Sequence, residues 1–215
     1  MTTEVSRAQV PDPHTLLRDT AWGSIGHAMG SADDTPLELV KLLSEDSHRI
    51  DEAVDHIERV VSHQNSIYEA TAPVALYIAG ILPDPRLAAA TTRVDAGQAR
   101  PLRAVLLNWL LNTADDATDE VVTINERAGF PLDGYAAMKE LRSWRPAIFQ
   151  TVSAFLHDPD PDIRHTAVIA AVVLLDSPAA VNRHGLVPMV TEALQTSTNQ
   201  YHRRLATEAL NGLYR

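Results

Sequence analysis

The chain has 215 residues and a mass of 23.5 kDa, with 45% apolar residues, only 5% aromatics and a formal charge of −10. That much apolar chain builds a core, which excludes a disordered tail or a small fold needing staples. The absence of cysteine excludes disulfides, zinc–thiolate sites and thiol catalysis, and the acidic balance speaks against a surface that tracks phosphates.

From the N-terminus, Met1-Thr2-Thr3-Glu4-Val5-Ser6-Arg7 lacks the basic-then-apolar pattern of a signal segment. No apolar run reaches the roughly 18 residues that a membrane span requires, so a cytoplasmic protein without membrane or nucleic-acid partners is expected. Residues 1–20 read as an N-terminal extension and 21–215 as a single helical domain. The one glycine-rich stretch, Gly23-Ser24-Ile25-Gly26-His27-Ala28-Met29-Gly30, has no lysine and no preceding strand, so no nucleotide site or other cofactor is expected there.

A helix is predicted over about His48–His63, with Ile50, Ala53, Val54, Ile57, Val60 and Val61 on one sector. A second opens near Pro161 and contains Ala167–Leu175, apolar nearly all round. It must be covered on both sides by other helices. Strand-like alternation and Asn-Gly hairpin turns are missing between such segments, which predicts an all-α fold.

A phrase then recurs: a helix ending in two apolar residues, an acidic or Pro-containing turn, and a second helix. It reads Leu42-Leu43-Ser44-Glu45-Asp46, Ile81-Leu82-Pro83-Asp84-Pro85, Phe155-Leu156-His157-Asp158-Pro159 and, degenerately, Ala193-Leu194-Gln195-Thr196-Ser197. The marker leucines lie 39, 74 and 38 residues apart, which fits a period of about 38 with one unmarked copy in the middle. That copy is expected to use Arg100–Leu111 and Asp119–Arg127 as its helices. Asp95–Gly97 and Gly129–Gly134 read as flexible insertions.

The stretch Leu156-x-Asp158-Pro159-Asp160-Pro161-Asp162-Ile163-Arg164-x-x-Ala167 resembles the turn and second helix of a HEAT repeat. Trp22…Ile25-x-His27-Ala28-x-Gly30-x-Ala32-x-Asp34-x-Pro36-x-x-Leu39 and His63-Gln64…Tyr68-x-Ala70-Thr71-Ala72-Pro73 are similar to segments of actinobacterial HEAT-like proteins. The resemblance implies a right-handed α-solenoid of about four to five helix pairs. It also implies that Asp158 and Arg164 occupy the positions of the hydrogen-bonded ladder between neighbouring repeats. HEAT-architecture DNA glycosylases place an enzyme on this scaffold, but their resemblance implies a basic groove that a charge of −10 contradicts.

Nine histidines call for a metal test. His56 and His63 stand seven apart on one helix, roughly 10 Å along its axis, too far to share an ion. No H-E-x-x-H occurs, so no metal is expected. Asp33-Asp34, Glu45-Asp46, Asp115-Asp116, Asp119-Glu120 and Asp158–Asp162 all precede predicted helices, where carboxylates satisfy free backbone N–H groups. No catalytic set can be assembled from spacing. Trp22, His27, Asp34, His56, His63 and Tyr68 are the candidate binding residues, with core packing as the competing role for the aromatics. The expected function is a non-enzymatic module that presents an acidic concave face to a basic protein partner, in the manner of an inhibitor or immunity-type accessory protein. The alternative is a small-molecule enzyme using His27, His63 and nearby acids.

Overall fold

A computed structural model describes residues 9–94 and 98–213, so the insertion expected at 95–97 lies outside the described residues. The fold is mostly helical. The helices are α1 (Pro13–Asp19), α2 (Thr35–Leu39), α3 (Ser47–His56), α4 (Thr71–Ile81), α5 (Arg86–Ala89) and α6 (Leu102–Asp115). They continue with α7 (Asp119–Arg127), α8 (Ala136–Ser153), α9 (Pro161–Leu175), α10 (Pro178–Arg183), α11 (Val187–Thr196) and α12 (Gln200–Leu213). No helix among the described residues is long and apolar enough to cross a membrane.

The mostly helical fold agrees with the all-α expectation, and two short hairpins are added to it. Strands β1 (Gly26–His27) and β2 (Gly30–Ser31) pair antiparallel, as do β3 (Thr91–Val94) and β4 (Gln98–Pro101). Both are too short to show a period-2 pattern. Gly30 carries a φ of +128°, a conformation that a β-carbon resists, and it lets the first hairpin close.

Local chemistry explains several helix starts. Asp12 caps α1 by accepting from Thr15 N at 2.9 Å, with Pro13 preset for the first turn. The helix then lies flush on α4, where a β-carbon at Gly80 would sit 2.8 Å from Pro13 Cγ. Residues 13–19 of the N-terminal extension are thus packed on the domain. Asp46 caps α3, and the predicted helix over 48–63 is seen as α3 continued by a π-turn at Ile57–Val61. That wider turn has a physical anchor. The Ile57 carbonyl accepts both Ser62 N at 3.1 Å and the indole N–H of Trp109, on α6, at 2.9 Å.

Helix α9 begins at the Asp160 cap, where one carboxylate oxygen accepts from Asp162 N and Ile163 N. It is buried from His165 to Leu174, and α6, α8, α11 and α12 all pack on it. Burying a Val or Ile side chain is worth about 1.5–3 kcal/mol, so this helix is the energetic centre of the fold. Its partner in packing differs from expectation. α6 lies against α9, while α7 buries no side chain of its own. The second marked copy is also incomplete, because its second helix, α5, lasts one turn before the chain enters β3. On α12, Arg203, Arg204, Glu208 and Asn211 face solvent.

Candidate functional site

The β1–β2 hairpin is tied by one main-chain bond to the π-turn after α3 and by another to the start of α4, and a third closes its own base. Ala28 N donates to Val60 O at 3.1 Å, Ala70 N to Gly26 O at 3.1 Å, and Ala32 N to Ile25 O at 3.0 Å. This anchoring drops His27 into the interior, where its side chain is only 4% exposed. The ring's Nδ1 accepts from Met29 N at 3.1 Å, so in the neutral ring the proton resides on Nε2. Nε2–H then donates to Asp34 Oδ1 at 3.0 Å.

Asp34 occupies the position of a helix cap before α2 but makes no capping bond. Its carboxylate has turned to His27 instead, which corrects the capping role expected for it. Burial alone would raise the Asp34 carboxyl; the His27 hydrogen bond and the nearby imidazoles outweigh that and hold it below its ordinary range. The next residue, Thr35, is fully buried. Its hydroxyl lies 3.4 Å from Asp34 Oδ1 and 3.1 Å from His56 Nε2. His56 comes from the last turn of α3, and its ring meets His27 edge-on with centroids 5.8 Å apart. Burial pushes the His56 pKa down, keeping its ring neutral near pH 7.

One ligand atom each from His27, Asp34 and His56 therefore falls within 4.8 Å of the other two. Both imidazoles are buried, whereas the Asp34 side chain is 55% exposed, so the cluster opens to solvent on its carboxylate side. Two nitrogens and one oxygen with an open flank form a donor set suited to a divalent transition metal. The helix-spacing test that paired His56 with His63 missed it, because the partners of His56 arrive from a hairpin and a helix start.

The remaining sequence candidates are elsewhere. Trp22 is a core residue whose indole N–H donates to Leu17 O at 3.0 Å. His63 and Tyr68 are half-buried on the segment between the π-turn and α4. Among the described residues, no hydrogen bond or ion pair joins their side chains to the cluster. At the ladder positions, the Arg164 guanidinium donates to the Asp158 backbone carbonyl at 2.8 Å and reaches Glu192 of α11 at 3.6 Å. The Asp158 carboxylate is occupied with Asp160 N. Among the described residues the two are thus joined through the Asp158 main chain rather than through its carboxylate.

Sequence reading missed a second polar centre. Arg145, on the core face of α8, donates to Asp176 Oδ2 at 2.9 Å, to Val173 O at 2.5 Å and to Ala117 O at 3.3 Å. Asp176 closes α9 in a left-handed conformation and also accepts from Asp119 N at 2.6 Å. Arg142 adds bonds to Ala117 O and Asp119. A cleft of about 270 Å³ lined by Asp115, Thr118, Asp176 and Ser177 lies beside it.

A third feature is a groove of about 440 Å³ between α3 and β3. Asp51, Glu52, Asp55 and Glu58 line it, against Arg59, Arg93 and His48. Asp51 fixes its far wall by accepting from Thr92 Oγ1 at 2.6 Å and Arg93 N at 3.1 Å. Comparison with protein-family models, curated proteins and solved structures gave no match to this chain.

Proposed function

We propose that the chain is a non-enzymatic, HEAT-like α-solenoid that binds a basic protein segment along the acidic face of α3. The packing order supports the repeat reading in a revised form, with α2–α3, α4–α6, α8–α9 and α11–α12 as four pairs. α4 stacks on α8 and α6 on α9, as successive first and second helices of a stack do. The marker interval of 74 residues then reflects one pair interrupted by α5, β3 and β4 and followed by α7, rather than a missing copy.

The groove between α3 and β3 carries the functional reading. It sets four carboxylates against two guanidinium groups in a protein of net charge −10; Asp55 is paired with Arg59 at 2.5 Å and Glu52 with Lys41 at 2.9 Å, so a cationic segment competes for both. Such a field steers a cationic partner and weakens as salt screens it beyond about 8 Å. The alternative of an enzyme acting through His27 and His63 loses support from the geometry, since His63 is not joined to the cluster and both His27 nitrogens are occupied.

The test uses a library of Lys/Arg-rich peptides against the full chain on a biosensor, over a salt series. The expected outcome is an association rate that falls several-fold from low to physiological salt and is lost in the Glu52→Lys/Asp55→Lys double variant. Double-stranded DNA should not bind at physiological salt. Salt-independent association, or unchanged binding by the double variant, overturns the reading.

A further inference from the structure

We infer that His27, Asp34 and His56 form a three-ligand site for a divalent transition metal, zinc by chemical preference. Zinc takes imidazole nitrogen and carboxylate oxygen at about 2.0–2.2 Å, which places the donor atoms of a tetrahedron roughly 3.3 Å apart. The His27 Nε2 to Asp34 Oδ1 edge already measures 3.0 Å, and all three donors lie within 4.8 Å. Metal binding requires His56 Nε2 to give up its contact with Thr35 Oγ1 and close on the other two donors. The freed hydroxyl stays beside Asp34 Oδ1 and can orient the liganded carboxylate, the kind of outer support that metal sites use. The fourth position falls on the flank where Asp34 is half exposed, so it is filled by water, as in open three-ligand sites. A chain without cysteine offers no thiolate to bias the site toward softer ions.

The geometry also says what binding costs. A metal on His27 Nε2 requires the ring proton to move to Nδ1, which now accepts from Met29 N. That amide must turn away. Met29 is 64% exposed at the tip of the hairpin and has room to do so. The loss is about one hydrogen bond, a few-fold to tenfold in affinity. It also makes the Met29 amide a reporter of occupancy.

The experiment titrates metal-stripped full-length protein with Zn²⁺ against a chromophoric chelator, and with Co²⁺ monitored by visible absorption. The expected result is one equivalent per chain at micromolar affinity or tighter, with the ligand-field bands of a four- or five-coordinate ion and a shift of the Met29 amide resonance. Asp34→Asn and His56→Gln should each weaken binding by about 100-fold or more, while His63→Gln leaves it unchanged. Circular dichroism of each variant separates ligand loss from unfolding, and Asp34→Asn, on the exposed flank, reads out even where His56→Gln does not fold. Binding weaker than about 100 μM, or a stoichiometric site that survives in Asp34→Asn, overturns the assignment.

Discussion

The Arg145 centre and the His27 centre both bring buried nitrogen groups to a carboxylate, yet their hydrogen bonds lead to opposite roles. At Arg145 the guanidinium spends itself on Asp176 and on the carbonyls of Val173 and Ala117, and Asp176 holds the start of α7 as well. Three chain segments are locked by the two terminal guanidinium nitrogens, and only the buried Arg145 Nε–H is left without a partner among the described residues. At His27 the bonds converge on a carboxylate that is half exposed, with a second buried imidazole one hydroxyl away. Burial of charge thus does not mark a site. What distinguishes the two centres is whether the acceptor at the end of the chain of bonds is closed off or faces solvent.

The largest expected effect tests that distinction directly. Replacing Arg145 by Ala strips the Val173 carbonyl of its donor and leaves Asp176 with only the more distant Arg142, at 3.9 Å, as its cation, and breaking a buried pair from one side costs about 3–5 kcal/mol. Asp34→Asn keeps an acceptor oxygen for His27 Nε2–H at a site open to water, so it should cost about 1 kcal/mol or less. Urea denaturation of the two variants measures both. Equal losses would erase the difference between a structural and an open centre.

A third nitrogen sharpens the comparison. His202, on α12, is buried and its Nε2 has no hydrogen-bond partner among the described residues. Burial, and then the nearby Arg100 guanidinium, push its pKa from 6.5 down to about 4, against a raising influence from Asp162. A histidine with a depressed folded pKa is bound by protons more readily when unfolded. Its contribution is intact above pH 6.5, declines as pH falls, and levels off below about 4, a loss of about 3 kcal/mol in all. The His202→Leu variant should therefore lose less stability than wild type between pH 6.5 and 4. Identical pH profiles from chemical denaturation would show that this ring is not held neutral by burial.

These contrasts follow what was and was not legible in the sequence. The run Ala167–Leu175 announced a covered helix because it has no polar face, and α3 showed its stripe through Ile50, Ala53, Val54 and Ile57. Asp46 and Asp160 announced helix starts, since capping is local chemistry. The partner of α6 was not legible. Both α7 and α9 begin with acids, and only tertiary packing selects α9. The His27 cluster was hidden for a related reason. Its members sit on a hairpin, a helix start and a helix end, so no periodicity links them. Asp34 looked like one more cap until the hairpin delivered His27 to it. Trp22 and Tyr68 were grouped with His27 by sequence proximity, yet the Trp22 indole turned back to Leu17.

Asp116 gives a more modest effect than Arg145 or His202 and the cleanest inversion of Asp34. Asp34 is half exposed and faces two imidazoles, while the partly buried Asp116, at the end of α6, has Asp115 as its charged neighbour. Burial first, and Asp115 second, raise the Asp116 carboxyl from 3.8 to about 6. A raised folded pKa means that the native state holds this proton more tightly than the unfolded chain does. The stability it confers is present below pH 3.8 and is lost as pH rises through about 6. By linkage the full loss is about 3 kcal/mol, and partial exposure to screening reduces it to about 1–2 kcal/mol. Asparagine cannot ionise, so Asp116→Asn should be more stable than wild type by that amount at pH 7.5 and equal to it near pH 4. Denaturation midpoints at the two pH values provide the measurement. A variant destabilised at pH 7.5 would mean that the Asp116 carboxylate has a favourable partner, and the contrast with Asp34 would then rest on something other than the charges facing each acid.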